Sequence, residues 1–475
     1  MSNLEHIAAL VAAEQQQYTT YQTYEQLRET NQRLVEEYPE LARTEVVGYG
    51  ADRTPDYPDG RPIEALIVSD PEYEADRPYV LKKLGHENEL PATLDQAASA
   101  RVLCENPDLL DESGYNFIFS TTEHPDGIAL QRWVETGEGE FDPATYALGF
   151  YRSAATEQVS WGYPFRHGKA NFTDVTSEVA ASMHLMRTYK PAVMHEVHAS
   201  GIDDVYYYVS HPSDELQAAL TEISADKGFA MQVGEPEMPY IQKIGPGLYH
   251  PLFTARAAYD YRAKHTPPEQ MRWVNGTTSA EYLSGLVHDP FMMVSEVPYL
   301  TADALRDMSL SGMTRREAGL LDVETHRQLV ASVASYYAAL RPRIERSDAA
   351  DVGRLARSIQ WWYTEGALGR VLAEQGAVEA PEFAREATVA EAYTTVQRWD
   401  FYATAFLGEV HHLAERLGGE AGMMDDIRGQ VEERIAAIDE VSPLQISPLP
   451  DLVGVQAMAG FALTEHSRRA RSEQD

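Results

Sequence analysis

The sequence predicts an α/β protein in which a mixed, twisted sheet is flanked by helices and followed by a mostly helical C-terminal extension. Short apolar runs alternate with segments of helical periodicity through the first 300 of the 475 residues, a pattern typical of α/β sheets. After residue 301, strand signals become rare and Ala, Arg and Glu at helical spacing dominate. We therefore predict a sheet domain over residues 1–300 and a helical extension over 301–475.

The elements follow in chain order. Residues 1–40 have a helical apolar stripe that ends at Pro39. Strands are predicted for six apolar runs, at residues 44–50, 63–69, 79–85, 115–120, 191–194 and 291–295. Helices are predicted for the periodic segments 176–189 and 216–228, and in the extension for 305–310, 320–340, 352–374, 387–417 and 424–438.

The charge balance excludes several classes of partner. The chain has 74 acidic and 39 basic residues, a net charge of −35. Such an excess of acid repels phosphates, so binding to nucleic acid or to an anionic membrane is not expected. Because the acidic residues are spread along the whole chain, we interpret the charge as an adaptation to high salt, as in a halophile.

The compartment is predicted from what the sequence lacks. With Cys104 as the single cysteine, no disulfide can form within the chain. The first residues have no basic segment before an apolar run, and no stretch approaches 18 apolar residues. These observations predict a cytoplasmic protein.

Residues that can bind a metal follow two of the predicted strands. His86 and Glu89 lie in Gly85-His86-Glu87-Asn88-Glu89, after the third strand, where both can reach one ion. His195-Glu196-Val197-His198 follows the fifth strand and offers a distant third ligand. Strand alternation places Glu196 and His198 on one side and His195 on the other, which favours His198.

Two further residues could take part in a reaction at such a metal. Glu296 ends the sixth strand in an apolar context, where burial would raise the pKa of its carboxyl toward that of a general base. Arg132, five residues after Gly127, could polarise a substrate carbonyl.

In order, these features resemble the zinc metallocarboxypeptidases of the carboxypeptidase A/B type. The match begins at about residue 21 and covers about 280 residues. It runs through Tyr21-x-x-Tyr24, Gly60-Arg61-Pro62, Gly85-His86-x-x-Glu89, Pro125-Asp126-Gly127, Thr176-Ser177-Glu178, Glu196-Val197-His198 and Ser295-Glu296.

The resemblance implies a zinc carboxypeptidase fold and one zinc ion held by His86, Glu89 and His198. It also implies that Glu296 is the general base and acid, and that Arg132 stabilises the oxyanion. The expected reaction is hydrolysis of a peptide or amide bond by metal-activated water.

The substrate end of the site departs from the family pattern. Typical members have an Asn-Arg-Asn motif whose Arg grips the substrate carboxylate, and here Ala170 stands at that position. We expect Arg166, Lys169 and Asn171 to bind substrate instead, although Lys cannot form a bidentate clamp. Together with Arg132 they would make a locally positive pocket suited to an anionic substrate.

Three functions stay open. The first is a carboxypeptidase acting on peptides. The second is a zinc amidohydrolase or deacylase on the same scaffold, of the succinylglutamate desuccinylase/aspartoacylase type, acting on N-acyl amino acids. The third is a non-catalytic metal-binding scaffold whose extension, residues 301–475, mediates oligomerisation. Glu296 and Arg132 count against the third, because a structural metal site needs neither.

Overall fold

A nine-stranded mixed sheet forms the centre of the computed structural model, which describes residues 2–472 apart from 136–140, 239, 266, 268–270, 272 and 366–380. The strands of the protein are β1 (Ala42–Tyr49), β2 (Pro62–Val68), β3 (Tyr79–Leu84), β4 (Asn116–Ser120), β5 (Phe165–His167), β6 (Ala170–Phe172), β7 (Val193–His198), β8 (Tyr206–Val209), β9 (Gln242–Gly245), β10 (Leu248–His250), β11 (Phe291–Glu296), β12 (Leu300–Thr301), β13 (Leu310–Thr314), β14 (Glu386–Thr388) and β15 (Gln445–Ile446).

The large sheet has the order β1-β2-β4-β3-β7-β11-β8-β10-β9. Its four central strands, β4, β3, β7 and β11, are parallel, whereas β1, β2 and β8 pair with their inner neighbours in the antiparallel sense. Parallel strands are buried on both faces, which explains their nearly continuous apolar sequences.

Helices cover both faces of the sheet. They are α1 (Ser2–Glu14), α2 (Tyr24–Glu37), α3 (Pro91–Glu105), α4 (Pro107–Ser113), α5 (Pro125–Ile128), α6 (Arg132–Glu135), α7 (Pro143–Gly149), α8 (Ser177–Tyr189), α9 (Asp214–Asp226), α10 (Ala255–His265), α11 (Ser279–Ser284), α12 (Arg315–Ile344), α13 (Ala350–Ile359), α14 (Val389–Tyr393), α15 (Trp399–Arg416), α16 (Ala421–Val441) and α17 (Leu449–Ser472). The predicted fold class, a mixed sheet flanked by helices and followed by a mostly helical extension, is confirmed.

The two faces have separate apolar cores. On one face, Leu84, Val193 and Val197 pack with residues of α3 and α17. On the other face, Leu81 and Met194 pack with residues of α8. Because consecutive residues of a strand point to opposite faces, the polar residues of β3 and β7 are also divided between these two environments.

The prediction differs from the structure at several places. Residues 305–310 were predicted as a helix, but a short 3₁₀ turn over Asp303–Arg306 leads into β13. Strand β8 and helix α17 were not assigned. The stretch from Leu452 to Leu463 in α17 is buried almost all round, so it lacks the polar face that marks an amphipathic helix.

The helical extension packs directly on the sheet domain. Residues of α15 and α17 belong to the same apolar core as residues of β7 and α3. The boundary at residue 300 stays a prediction, and part of the predicted helix 352–374 lies outside the described residues. Within the described ranges, every helix is too short or too polar to span a lipid bilayer.

Candidate metal centre

Three side chains that can bind a metal converge at the carboxyl ends of the central strands. Ligand atoms of His86, Glu89 and His198 all lie within 4.8 Å of one another, and all three residues are buried. The parallel register of β3 with β7 brings Leu84 opposite Val197, so the turn after β3 meets the end of β7. The sequence motifs therefore meet at the edge of an α/β sheet where active sites form.

The turn between β3 and α3 holds His86 and Glu89 in place. Helix α3 begins at Pro91, a residue suited to the first helical position. Within the turn, the backbone N–H of His86 donates to Oε2 of Glu89 at 3.1 Å. At Gly85, an added Cβ would lie 2.3 Å from the His198 ring. The absence of a side chain at Gly85 thus lets the two histidines approach, with ring centroids 4.9 Å apart.

The two nitrogens of His198 face different carboxylates. Nδ1 lies 2.9 Å from Oε2 of Glu89, and Nε2 lies 3.4 Å from Oε1 of Glu196. Burial lowers the pKa of His198, but Glu89 and Glu196 outweigh it and raise the pKa well above its ordinary value. A histidine held by a carboxylate on its far nitrogen is the usual arrangement at protein metal sites.

Lys83 balances the carboxylate behind His198. Its Nζ lies 3.4 Å from Oε1 of Glu196 and 3.4 Å from Oε2 of Glu123, and its side chain is completely buried. The hydroxyl of Ser279 also donates to Glu196. Although burial alone would raise the pKa of Glu196, Lys83 and His198 lower it well below its ordinary value, so Glu196 is ionised.

These residues fit a zinc ion. Nδ1 of His86 is buried and has no hydrogen-bond partner among the residues that the structure describes. Burial is also the main cause that lowers the pKa of His86 well below its ordinary value, so this imidazole is neutral. Two imidazoles and one carboxylate, with a fourth position left open, form the donor set of a catalytic zinc site.

Glu296 lies beside the triad. It ends β11, directly opposite His198 in β7, and its Oε1 is 3.8 Å from Nδ1 of His198. Burial raises the pKa of Glu296 well above its ordinary value, and Glu89 and Glu237 raise it further. A carboxyl with a raised pKa next to a metal site can accept and return a proton near neutral pH.

Arg152 acts electrostatically on the triad, whereas Arg132 pairs with a helix of the extension. Arg132 begins α6 and forms an ion pair with Glu415 in α15, where its side chain is 30% exposed. Its expected role at the scissile carbonyl therefore stays a prediction. Arg152 makes the largest charge contribution to the lowered pKa of His86, and its Nε is buried with no partner among the described residues.

The predicted substrate-binding residues lie on a hairpin of β5 and β6. Arg166 is opposite Asn171 and its Nε donates to Oδ1 of Asn171 at 3.1 Å, and both side chains are exposed. The backbone N–H of Lys169 donates to the hydroxyl of Tyr259. The binding of substrate by Arg166, Lys169 and Asn171 stays a prediction.

The helical extension contributes side chains that the sequence interpretation missed. Arg398, just before α15, forms ion pairs with Asp203 at 3.0 Å and with Glu237 at 2.8 Å. The hydroxyl of Tyr402 accepts from the backbone N–H of Gly201 at 2.8 Å. Arg398 and Tyr402 lie in the electrostatic environment of Glu296. More than 190 residues separate them from Gly201 and Asp203, so no local motif announces these contacts.

One missed group did leave a signal in the sequence. The chain has only seven lysines, and two of them, Lys82 and Lys83, are adjacent inside an apolar strand. Lysine is almost never fully buried without a partner. The pair in β3 therefore indicates buried carboxylates on both faces of the sheet, which the structure has.

Comparison with known proteins gives structural matches only. No protein-family model matches the sequence, and no curated protein matches it either. Carboxypeptidase A from Helicoverpa armigera matches with 15% identity and a TM-score of 0.38, covering 59% of this chain and 66% of that one. A metallo-carboxypeptidase from Burkholderia cenocepacia matches with 16% identity and a TM-score of 0.32, covering 57% and 59%. The murein-tripeptide amidase of Escherichia coli O157 matches with 12% identity and a TM-score of 0.26, covering 54% and 88%.

Proposed function

We propose that this protein is a zinc-dependent hydrolase that cleaves a peptide or amide bond, with carboxypeptidase activity as the first candidate. The observation that carries the proposal is the convergence of His86, Glu89 and His198 within 4.8 Å, next to Glu296, whose side chain is only 14% exposed. A structural metal site would need no such second carboxyl beside the ligands, and closed structural sites use four protein ligands. The donor set and Glu296 together therefore favour catalysis over a scaffold role.

The groups of the candidate site would have different roles in the reaction. A zinc ion at the triad would lower the pKa of water to about 7 and polarise a carbonyl. Glu296 would take the proton from the attacking water and return it to the leaving amine, which its raised pKa suits. Arg152, whose Nε is buried without a described partner, would donate to the negative oxygen that develops on the substrate.

Glu196 and Lys83 would hold the histidine in position. Glu196 faces Nε2 of His198 and so directs Nδ1 toward Glu89. Lys83 keeps Glu196 ionised. Neither Glu196 nor Lys83 would transfer a proton during the reaction.

A zinc amidohydrolase or deacylase is the second candidate, and the β5–β6 hairpin favours it. Ala170 stands where the resemblance implies a carboxylate-gripping Arg, and the neighbouring Arg166 is exposed and bonded to Asn171. If no cation from this hairpin reaches the substrate, a free C-terminal carboxylate need not be recognised. An N-acyl amino acid would then be as suitable a substrate as a peptide.

The two candidates differ in what they require of the substrate. The zinc-loaded protein, in molar potassium chloride, is given a peptide with a free C-terminus and the same peptide amidated, each with and without a chelator. Chelator-sensitive cleavage of the free form alone would support a carboxypeptidase. Equal cleavage of both would favour the amidohydrolase, and no chelator-sensitive cleavage of any peptide or N-acyl amino acid would contradict the proposal.

A further inference from the structure

The candidate site is almost closed to solvent. His86, Glu89 and His198 are 5%, 3% and 7% exposed, and the side chain of Glu296 is 14% exposed. Catalytic clefts that admit a polypeptide must leave room for the chain on at least one side of the scissile bond. An extended chain needs about 3.3–3.6 Å for each residue.

Helix α15 of the extension shields part of the candidate site from solvent. An added Cβ at Gly201 would lie 2.9 Å from the Phe401 ring and 3.3 Å from Cζ of Tyr402, so both rings press on the loop after β7. The Phe401 ring also stacks on Tyr146 at a centroid distance of 5.9 Å. The Tyr146 hydroxyl accepts a hydrogen bond from Asn88, between His86 and Glu89. Helix α15 is thus joined to the loops that carry the metal ligands on both sides.

Buried ion pairs hold α15 in this position. The Arg398 side chain is 6% exposed and pairs with Asp203, which is 1% exposed. Arg398 also pairs with Glu237 and reaches the hydroxyl of Tyr206, a residue opposite Glu296 in the sheet. Removing one partner of a buried pair is strongly unfavourable, so displacement of α15 by a substrate is costly.

We propose that α15 limits the substrate to a small molecule with one scissile amide, of the size of a dipeptide or an N-acyl amino acid. This inference rests on the proposed function and narrows its substrate class. Peptides long enough to extend beyond the enclosed site are excluded, because their remaining residues would have to displace Phe401, Tyr402 and the ion pairs of Arg398.

Substrate length is the direct test. The zinc-loaded full chain is given equimolar pools of dipeptides and of dodecapeptides that end in the same dipeptides, and consumption is followed by mass spectrometry. We expect the dipeptides to be consumed at least about a hundredfold faster, because longer chains must break buried contacts. Comparable rates for both pools would overturn the size limit and leave the proposed hydrolase intact. Consumption of neither peptide pool, nor of a matching pool of N-acyl amino acids, would contradict the hydrolase and the size limit together.

Two variants locate the barrier. Tyr402→Ala should raise the relative rate on dodecapeptides by opening the wall next to Gly201. Tyr336→Ala in α12, whose hydroxyl pairs with Asp426, is the matched control and should leave the ratio of the two rates unchanged. An unchanged ratio in a folded Tyr402→Ala protein would remove α15 as the cause.

Closure can also be measured without activity. Diethyl pyrocarbonate is applied to the metal-free protein, and the modified histidines are mapped. His184, with a 53% exposed side chain, is the internal reference. We expect His86 to react at least about tenfold more slowly than His184, because a buried group reacts only after local opening. Equal rates at these two histidines would overturn the closed site.

Discussion

The two faces of the central strands carry similar side chains, and among the described residues one face gathers a group that could hold a metal ion. On the face covered by α3 and α17, Lys82 pairs with Asp95 at 2.5 Å, and Nε2 of His195 lies 2.8 Å from Oγ of Ser295. An added Cβ at Gly460 of α17 would lie 3.0 Å from Nδ1 of His195. On this face one carboxylate, Asp95, therefore pairs with one lysine, Lys82, and helix α17 packs against Lys82 and His195.

On the other face, several carboxylates lie around one lysine and one histidine. Lys83 lies between Glu123 and Glu196, and beyond them Glu89 and Glu296 share the single imidazole of His198. Buried carboxylates without a cation are very costly. The difference between the faces indicates that tertiary partners, rather than the alternating Lys and His residues themselves, assemble the candidate metal site.

The largest effect is expected on kcat, which should fall when Glu296 is replaced and not when its neighbour Ser295 is replaced. Glu296→Gln should keep zinc and reduce kcat by about 10²–10⁴-fold, because the proton acceptor is lost. Ser295→Ala, on the opposite face, should leave kcat unchanged. Steady-state kinetics and metal analysis check both variants. Full turnover by Glu296→Gln would show that the assigned base is wrong.

Zinc affinity should distinguish the two histidines of β7. His198→Ala should weaken zinc binding by at least about a hundredfold, the share of one ligand in the binding free energy. His195→Ala should leave the affinity within a few-fold of the parent protein. Competition with a chromogenic chelator measures both. If His195→Ala also lost the metal, the division between the two faces would not hold.

Glu196, the partner of Lys83, should contribute to zinc binding, whereas Asp95, the partner of Lys82, should contribute to stability. Glu196→Gln should weaken zinc binding about 10–100-fold, because it orients His198. Asp95→Asn should leave zinc affinity unchanged and lower the free energy of unfolding by about 3–5 kcal/mol, because Lys82 loses its buried partner. Zinc titration and denaturant unfolding give the two readouts. Equal effects of both variants on zinc affinity would contradict the difference between the two faces of the sheet.

The smallest effect concerns a buried histidine whose ring makes no hydrogen bond among the described residues. His412 in α15 is 1% exposed, and both its ring nitrogens have no partner among the described residues. Burial, with Arg132 and Arg416, lowers the pKa of His412 to about 3. The unfolded chain therefore binds a proton that the folded chain does not, and stability present above pH 6.5 is lost as the pH falls toward 3.

Replacing this histidine should flatten the acid side of the stability curve. His412→Leu should reduce the loss between pH 6.5 and 4 by up to about 1.4 kcal/mol per pH unit, measured by denaturant unfolding. His184→Leu, at an exposed position, is the control. Identical slopes for His412→Leu and the parent protein would show that His412 is not held neutral.

The sequence was sufficient where a site residue follows from local spacing. His86 and Glu89 share one turn, and strand alternation separates His198 from His195, which the structure places on opposite faces of the sheet. The position of Glu296 at a strand end also follows from the apolar run before it. These features depend on contacts a few residues apart, or on the regular geometry of parallel strands.

The sequence was insufficient where a residue acts through distant packing. Arg152 follows a buried aromatic stretch with no motif of its own, whereas Arg132 has a place in the family pattern but pairs with Glu415. Tyr402 reaches Gly201 only because α15 folds back over the sheet. Such contacts are set by the packing of whole helices, which periodicity does not specify.

Crystals of the zinc-loaded protein, measured at the zinc absorption edge, would locate the metal ion. We expect one strong anomalous peak, about 2.0–2.2 Å from an imidazole nitrogen of His86, a carboxylate oxygen of Glu89 and an imidazole nitrogen of His198. No peak at these residues, or a peak beside His195 on the opposite face of the sheet, would contradict this expectation.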